Sequence, residues 1–238
     1  MTWSIIARDP QTGCVGVAVA SKFLAVGARV PYVAAGIGVV ATQALVNPFY
    51  GPRGLDLLRD RVPVAKAVAG LVATDDGRDH RQLHVMDWAG RSAAHTGAAC
   101  IDWCGHAAGD GCSLAGNMLA GARVLEATAS VYAARSDLAF ARRLIAAMRA
   151  GEAAGGDKRG RQSAALLIYG EDEWSDLDLR VDDHDDPLGE LERLEAVSRE
   201  RWVHFRKFLP GRRDPVGVTD RASIEAGIAA ALAAEAAR

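Results

Sequence analysis

Apolar residues along this chain fall into short runs typical of strands and longer periodic stretches typical of helices. The first two runs, residues 3–8 and 14–21, flank a segment that contains Pro10 and Gly13. Proline and glycine supply turn dihedrals, so this pattern predicts a β-hairpin. Further strands are predicted at about residues 36–43, 82–87, 91–95 and 163–169.

Helical periodicity predicts most of the remaining elements. Helices are expected at about residues 52–61, 64–73, 123–134, 137–150, 188–205 and 221–237. Residues 100–121 are rich in glycine and other small residues, which indicates a loop with one short strand.

The order of these elements indicates the fold class. Strands and helices come in runs rather than alternating singly, which favours mostly antiparallel sheets covered by helices. Two such sheets packed together, with helices outside, form a four-layer αββα sandwich of the α/β (α+β) class. The composition shows no break, so we expect one domain over residues 1–238, with residues 188–238 as a helical extension packed on it.

Charge and hydropathy limit the partners that this chain can have. Lys and Arg number 28 against 30 Asp and Glu, a formal net charge of -2, so nothing attracts the whole protein to nucleic acid or anionic membranes. The longest apolar runs, residues 15–20 and 36–41, are too short to span a bilayer. The first residues lack the pattern of a secretory signal. We therefore expect a cytoplasmic protein without nucleic-acid or membrane partners.

Cofactor and metal motifs are present only in incomplete form. Residues 36–41 match the dinucleotide pattern G-x-G-x-x-A, but they lie inside a β-branched run instead of between a strand and a helix. Cys100, Cys104, Cys112 and His106 could supply four zinc ligands, yet their spacing matches no zinc pattern. We predict no cofactor and no metal, with zinc binding by these four residues as the alternative.

Several long strings of this sequence match one known pattern. They are residues 1–9, 17–23, 41–44, 47–48, 50–54, 95–97, 116–119 and 155–164. Together they resemble the bacterial family called domain of unknown function 1028, over roughly residues 2–200. That family is grouped with the N-terminal-nucleophile (Ntn) hydrolases, so the resemblance implies the αββα sandwich and amide hydrolysis by the first mature residue.

The resemblance implies a role for Thr2. In Ntn hydrolases the side chain of the first mature residue is the nucleophile, and its free α-amine is the base. Removal of Met1 exposes Thr2, whose small size permits that cleavage. An unperturbed α-amine has a pKa of about 7.7–8, so much of it is neutral near physiological pH. Alternatively, Thr2 is a β-branched residue that merely starts a strand, and Ser4 or another hydroxyl would need a different base.

Two residues are expected beside Thr2 because the hairpin returns the end of its second strand to the start of the first. By resemblance, Ser21 and Lys22 occupy these positions, and the lysine cation keeps the α-amine neutral through like-charge repulsion. The alternative for Lys22 is an ordinary surface lysine.

Polar residues near other strand ends are the remaining candidates. Asn117 is the preferred side-chain donor to the oxyanion, and Arg161 could grip a substrate carboxylate. The predicted substrate-binding residues are Thr42, Gln43, Asn47, His95, Asp157, Lys158, Arg161, Gln162 and Ser163. The alternatives are a turn at Asn47, a structural His95 and a solvated loop at residues 157–163.

These features predict a metal-independent amidohydrolase that acts on a small amide. Its catalytic residues would be Thr2, Ser21, Lys22 and Asn117. The alternative function is non-catalytic binding of a small metabolite on the same scaffold. An apolar stripe on the last helix could serve a homo-oligomer or dock on the body; it consists of Ile224, Ile228 and Leu232.

Overall fold

The computed structural model describes residues 2–237, whose strands form two antiparallel sheets. The strands are β1 (Thr2–Arg8), β2 (Val15–Ser21), β3 (Pro31–Ala34), β4 (Gly38–Ala44), β5 (Arg81–Asp87), β6 (Ser92–Thr96), β7 (Trp103–Gly109), β8 (Cys112–Leu119), β9 (Ser163–Tyr169) and β10 (Ser175–Val181). The helices are α1 (Tyr50–Arg59), α2 (Val64–Ala73), α3 (Arg123–Ala134), α4 (Phe140–Ala153), α5 (Pro187–Glu200), α6 (Trp202–Phe205) and α7 (Arg221–Ala236).

The two sheets lie face to face, with helices on both outer surfaces. The larger sheet has the order β10-β9-β2-β1-β8-β7, and the smaller has the order β3-β4-β5-β6. Helices α3, α4 and α5 pack on the larger sheet, while α1 and α2 pack on the smaller one. The predicted four-layer αββα sandwich is therefore confirmed.

Side-chain alternation along β1 explains how this strand serves two layers. Trp3 and Ile5 belong to the apolar cluster beneath the helices, whereas Ile6 belongs to the cluster between the sheets. Ser4 lies on the same face as Ile6, and its hydroxyl donates across the layer to Gln43 of β4. The layer between the sheets is thus apolar at one end and polar at the other, where β1 begins.

The segment 100–121 differs from the prediction. It contains two strands, β7 and β8, joined at Asp110 and Gly111, and the φ of Gly111 is +62°. Strand β8 lies between β1 and β7 in the larger sheet, where small residues allow close packing: a Cβ on Gly116 would lie 2.4 Å from Leu119 Cδ1. The loop prediction is wrong because the small residues of β8 allow its burial, while β7 is a largely exposed edge strand, and the Asp-Gly pair is the turn signal that indicates the hairpin.

Smaller differences concern element ends and edge strands. Strands β3 and β10 lie at sheet edges and were not predicted; β10 alternates charged residues with apolar ones, which hides it from a search for apolar runs. The helix expected over 188–205 divides into α5 and α6 at Arg201, and α4 continues to Ala153. Within residues 2–237, none of the helices is long and apolar enough to cross a membrane.

Candidate active site

Four buried polar residues form a row across the larger sheet at the end where β1 begins. Strand register pairs Ser163 with Ser21, Ser21 with Thr2, and Thr2 with Asn117. Directly opposed residues of antiparallel strands point to the same face, so all four side chains enter the layer between the sheets. Their exposed fractions are 0% for Ser163, 2% for Ser21, 7% for Thr2 and 2% for Asn117.

Thr2 is held at both its side chain and its carbonyl. Its Oγ1 lies 3.0 Å from Ser21 Oγ, a hydrogen bond in which either hydroxyl can donate. Its carbonyl oxygen accepts from Gln43 Nε2 and from Asn117 Nδ2, each at 3.3 Å. Because Gln43 comes from the smaller sheet and Asn117 from the larger one, the position of Thr2 depends on both sheets.

The side-chain amide of Gln82 orients the side-chain amides of Gln43 and Asn117. Gln82 Oε1 accepts from Gln43 Nε2 at 2.7 Å and from Asn117 Nδ2 at 3.0 Å. The two hydrogens of its own Nε2 are shared among three acceptors, Gly116 O at 2.8 Å, Gly105 O at 3.0 Å and Thr96 Oγ1 at 2.9 Å. Both amide ends of Gln43 and Gln82, and the Nδ2 of Asn117, therefore face complementary groups, which fixes the amide orientations.

A neutral histidine continues the network away from Thr2. Ser4 Oγ donates to Gln43 Oε1 at 2.8 Å, so it must accept from His84 Nε2, which also lies at 2.8 Å. The other ring nitrogen, Nδ1, then accepts from Ser113 Oγ at 3.2 Å. Burial, aided by the nearby His106, lowers the pKa of His84 to about 3. The imidazole is therefore uncharged at neutral pH.

The sequence prediction missed Gln82, His84 and Ser113 as members of this cluster. The available signal was alternation within β5, where Gln82, His84 and Met86 share one face of an otherwise apolar strand. Two polar residues on a buried face indicate a polar partner across the layer. That partner, Gln43, is distant in sequence, so no local pattern could have identified it.

The loop after α4 closes against the end of β2. Lys22 donates from its backbone N–H to Asp157 Oδ2 at 2.7 Å, and its ammonium donates to Arg161 O at 2.9 Å. Ser163 Oγ donates to Phe23 O and accepts from Val26 N. These bonds hold the 157–163 loop beside Ser21, although the Lys22 ammonium is directed at this loop rather than at Thr2.

A small pocket of about 160 Å³ lies under this loop, lined in part by Trp3, Ser21, Glu152, Asp157 and Arg161. Arg161 Nε lies 3.2 Å from Glu152 Oε1, and its Nη1 lies 3.6 Å from a carboxylate oxygen of a second acid, Asp186. Burial raises the pKa of Glu152, which the two neighbouring arginines partly offset. The Arg161 guanidinium is thus already matched by carboxylates of this chain.

Two further residues of the 157–163 loop make partnerships at the surface. Lys158 Nζ lies 3.2 Å from Asp102 Oδ1, and Gln162 Nε2 donates to Asp183 Oδ1 at 3.1 Å. Neither contact involves Thr2.

Three predicted substrate-binding residues lie elsewhere. Thr42 is on the helix-facing side of the smaller sheet, and its Oγ1 donates to Asn47 O. Asn47 donates in turn to Asp75. His95 Nε2 contacts Arg78 O at 3.0 Å. The structure does not bring these three to Thr2: Thr42 points to the face opposite its neighbour Gln43, His95 pairs with Leu83 on that same helix-facing side, and Asn47 lies beyond the end of β4.

The candidate zinc ligands are not assembled. Cys104 Sγ lies 3.6 Å from Cys100 O, and His106 Nδ1 lies 2.9 Å from Thr96 Oγ1. Cys112, in contrast, packs in the cluster beneath the helices, where burial raises its pKa. Across residues 2–237, no three His, Cys, Asp or Glu side chains are placed to share a metal ion.

Comparisons with known proteins agree with this architecture. The crystal structure of a protein from Silicibacter pomeroyi matches with a TM-score of 0.86 at 37% identity, covering 92% of this chain and 96% of that chain; it is assigned to DUF1028. Anbu (ancestral beta-subunit) from Yersinia bercovieri matches with a TM-score of 0.39 at 13% identity, over 88% of this chain and 98% of that chain, a likeness too weak to carry an argument. A search of curated proteins gives no match.

The family comparison covers most of the sandwich. The model of a family of unknown function, DUF1028, matches residues 2–191, which extend from β1 into α5. The row of Thr2, Ser21, Asn117 and Ser163 lies within these residues. The chain belongs to the DUF1028 family.

Proposed function

We propose that this protein is an N-terminal-nucleophile amidohydrolase whose nucleophile is Thr2. The proposal requires removal of Met1, which lies outside the described residues. The observation that carries it is the clamp on Thr2: Gln43 and Asn117 hold its carbonyl from two sheets, while its Oγ1 faces the Ser21 hydroxyl. A β-branched residue that only started a strand would not need three polar side chains to fix its position.

The proposed reaction uses one residue as both nucleophile and base. The free α-amine takes the Oγ1 proton as Oγ1 attacks the amide carbonyl carbon, and this gives a tetrahedral oxyanion. The proton then passes to the leaving nitrogen, which departs as an amine. A water molecule attacks the resulting ester, its proton is taken by the same α-amine, and a carboxylic acid is released with the Thr2 hydroxyl restored.

Neighbouring groups have supporting roles in this scheme. Ser21, at 3.0 Å from Thr2 Oγ1, can orient the hydroxyl. Lys22 directly follows β2, but its ammonium donates to Arg161 O at 2.9 Å, so in this scheme its charge acts on the α-amine only from a distance, by like-charge repulsion. Asn117 already donates both Nδ2 hydrogens inside the protein, which suits positioning of Thr2 better than oxyanion binding. Backbone N–H groups are then the oxyanion donors.

A second candidate function is binding of a small amide without hydrolysis. The observation that favours it is the burial of Thr2, which is 7% exposed and already hydrogen-bonded at Oγ1. The two functions differ in whether the bound amide is cleaved.

Intact mass and turnover together test the proposal. Protein purified from its native host should lack the mass of Met1 and hydrolyse members of an amide panel, and Thr2→Ala should abolish that turnover. Thr2→Ser should retain part of it, because the serine hydroxyl and α-amine are preserved. Thr219→Ala is the matched control, since Thr219 is an exposed threonine outside the site. Retention of Met1, or undiminished turnover by Thr2→Ala, would overturn the assignment of the nucleophile.

A further inference from the structure

Large apolar side chains are exposed in two regions among residues 2–237. Four of them belong to the C-terminal part of the chain: Val197, Val216, Val218 and Leu232. The other five lie on the sandwich, and we call them the apolar rim: Phe23, Leu24, Leu45, Phe49 and Ile101. Each rim side chain is more than half exposed, from 56% for Phe23 to 63% for Leu45.

Four residues of the apolar rim lie at the end of the sandwich at which Thr2 lies. Phe23 and Leu24 follow Ser21 directly after Lys22, and Leu45 comes two residues after Gln43. Ile101 O accepts a hydrogen bond from Met118 N, the residue after Asn117. An exposed apolar residue therefore lies close to each of the three side chains that contact Thr2. Phe23 and Leu45 come two residues after Ser21 and Gln43, and Ile101 is hydrogen-bonded to the residue after Asn117.

Hydrogen bonds fix the rim backbone, so these side chains are held in water rather than left on loose loops. Leu45 donates from its N–H to His80 O at 3.1 Å, and its carbonyl accepts from Arg81 Nη1 at 2.6 Å. Phe23 O accepts from Ser163 Oγ. A large apolar group kept exposed by a rigid backbone is unfavourable in the free protein, and such patches commonly mark binding surfaces.

The spacing of the rim suits one extended apolar group. Phe23 follows β2, whereas Ile101 precedes β7 and contacts β8 through its carbonyl, so two to three strand spacings of about 4.8 Å, roughly 10–14 Å, separate these two positions. Leu45 belongs to the facing sheet, so it forms a third side of the rim, about 10 Å from the larger sheet. A medium-length acyl chain or an aromatic side chain spans such a gap, whereas an acetyl group does not.

We propose that the apolar rim binds the acyl part of the substrate, so that the preferred substrates are amides of medium-length aliphatic or aromatic acids. This inference rests on the proposed function, because it places the scissile carbonyl at Thr2 and the acyl chain against the rim. It also departs from recognition of a substrate carboxylate by Arg161, whose guanidinium already faces Glu152 and Asp186.

Paired fluorogenic substrates test the inference. With 7-amino-4-methylcoumarin as the common leaving group, kcat/KM for the octanoyl amide should exceed that for the acetyl amide by about 10- to 100-fold, as expected for burial of one or two apolar side chains. In the variant Phe23→Ser/Leu24→Ser/Ile101→Ser, this ratio should fall at least about tenfold. The variant Val216→Ser/Leu232→Ser changes two exposed apolar residues elsewhere, which are 69% and 38% exposed, and should keep the ratio. An octanoyl-to-acetyl ratio near one in the wild type, or an unchanged ratio in the rim variant, would overturn the inference.

A binding measurement separates failure of the inference from failure of the proposed function. Octanamide should bind Thr2→Ala protein at least about tenfold more tightly than acetamide, and the rim substitutions in that background should remove the difference. Octanamide binding that depends on the rim, without any hydrolysis by wild-type protein, would reject the proposed function and support the rim. Equal binding of the two amides would reject the rim. A second copy of this chain is the other occupant to test, and sedimentation velocity detects it. A wild-type dimer that becomes monomeric in the rim variant would show that a second copy covers this surface and would overturn the inference.

Discussion

Ser4 Oγ lies 2.8 Å from His84 Nε2, and this bond joins the central β1 strand of one sheet to β5 of the other. Both side chains are fully buried. Since Ser4 gives its own proton to Gln43, the direction of every hydrogen bond from Ser113 to the Thr2 carbonyl is determined. The polar end of the layer between the sheets therefore acts as one hydrogen-bonded unit.

We expect His84→Ala to destabilise the protein strongly. The substitution leaves the Ser4 and Ser113 hydroxyls without their ring partner and opens a cavity in a fully buried layer. The free energy of unfolding should fall by about 2–4 kcal/mol. Urea denaturation measures this change, and His80→Ala, at an exposed histidine, should cost less than about 0.5 kcal/mol. Equal effects of the two substitutions would contradict the network.

The low pKa of His84 predicts a pH dependence of stability. Its pKa is about 3 in the folded protein against an ordinary value of 6.5, so between these values the unfolded chain binds a proton that the folded protein does not. The contribution of neutral His84 is thus complete above pH 6.5 and is lost as the pH falls towards 3. Over that range the free energy of unfolding should decrease by up to about 1.4 kcal/mol per pH unit from this group.

Denaturation curves at several pH values measure this slope. His84→Gln is the diagnostic variant, because glutamine does not titrate: it should be less stable at neutral pH and show a flatter dependence between pH 6 and pH 4. An unchanged slope in His84→Gln would mean that other groups cause the acid sensitivity.

Asn117→Asp tests the amide clamp with almost no change of shape. The carboxylate would replace an Nδ2 that donates to two acceptors, Thr2 O and Gln82 Oε1, and so would place unpaired oxygens together in a buried site. We expect a loss of about 2–4 kcal/mol in the free energy of unfolding. Gln11→Glu is the control, because it makes the same amide-to-acid change at an exposed position. Thermal and urea unfolding should both report the difference.

Asp75 anchors the loop that carries Leu45 and Phe49. Its carboxylate accepts from Asn47 Nδ2 and Tyr50 OH, both at 2.8 Å, and from Arg81 Nε at 3.2 Å. These hydrogen bonds, above all the one from Asn47, hold its pKa well below the ordinary range. Its stabilising contribution is therefore present above the ordinary pKa and is lost only as the pH falls below it.

Asp75→Asn should lower the free energy of unfolding by about 1–3 kcal/mol, because a neutral amide accepts the Arg81 and Asn47 bonds more weakly. Asp76→Asn changes the exposed neighbouring aspartate and should have little effect. Hydrogen exchange at Leu45 N–H gives a local readout, and its protection should drop in the first variant alone.

The sequence predicted the layers of this fold well because alternation and helical period are local properties. It placed β9 and α2 at their observed ends, and it identified the β1–β2 hairpin from the turn between them. The β7–β8 hairpin was missed because β8 is buried through small residues beneath a helix that lies later in the chain, while β7 is largely exposed. A search for apolar runs cannot detect such strands.

For the candidate site, sequence reasoning and structure agree on proximity but not on partners. Ser21 and Asn117 do flank Thr2, because strand register places them there. Gln82 is joined to Thr2 through Gln43 and Asn117, and His84 is joined to it through Ser4 and Gln43, so both connections cross the gap between the two sheets. Sheet-on-sheet contacts of this kind depend on the packing angle and spacing of whole layers, which no single segment determines.

The order of synthesis determines when the row of Thr2, Ser21, Asn117 and Ser163 can form. Asn117 is made half-way along the 238-residue chain and Ser163 about two thirds of the way, whereas Thr2 and Ser21 are made among its first residues. During synthesis from the N-terminus, Thr2 therefore exists long before its carbonyl can be held by Asn117 and before Ser163 can close the row. A ribosome-bound fragment that ends before β9 carries the proposed nucleophile but no completed site, so reactivity at Thr2 should appear only after β9 has been made.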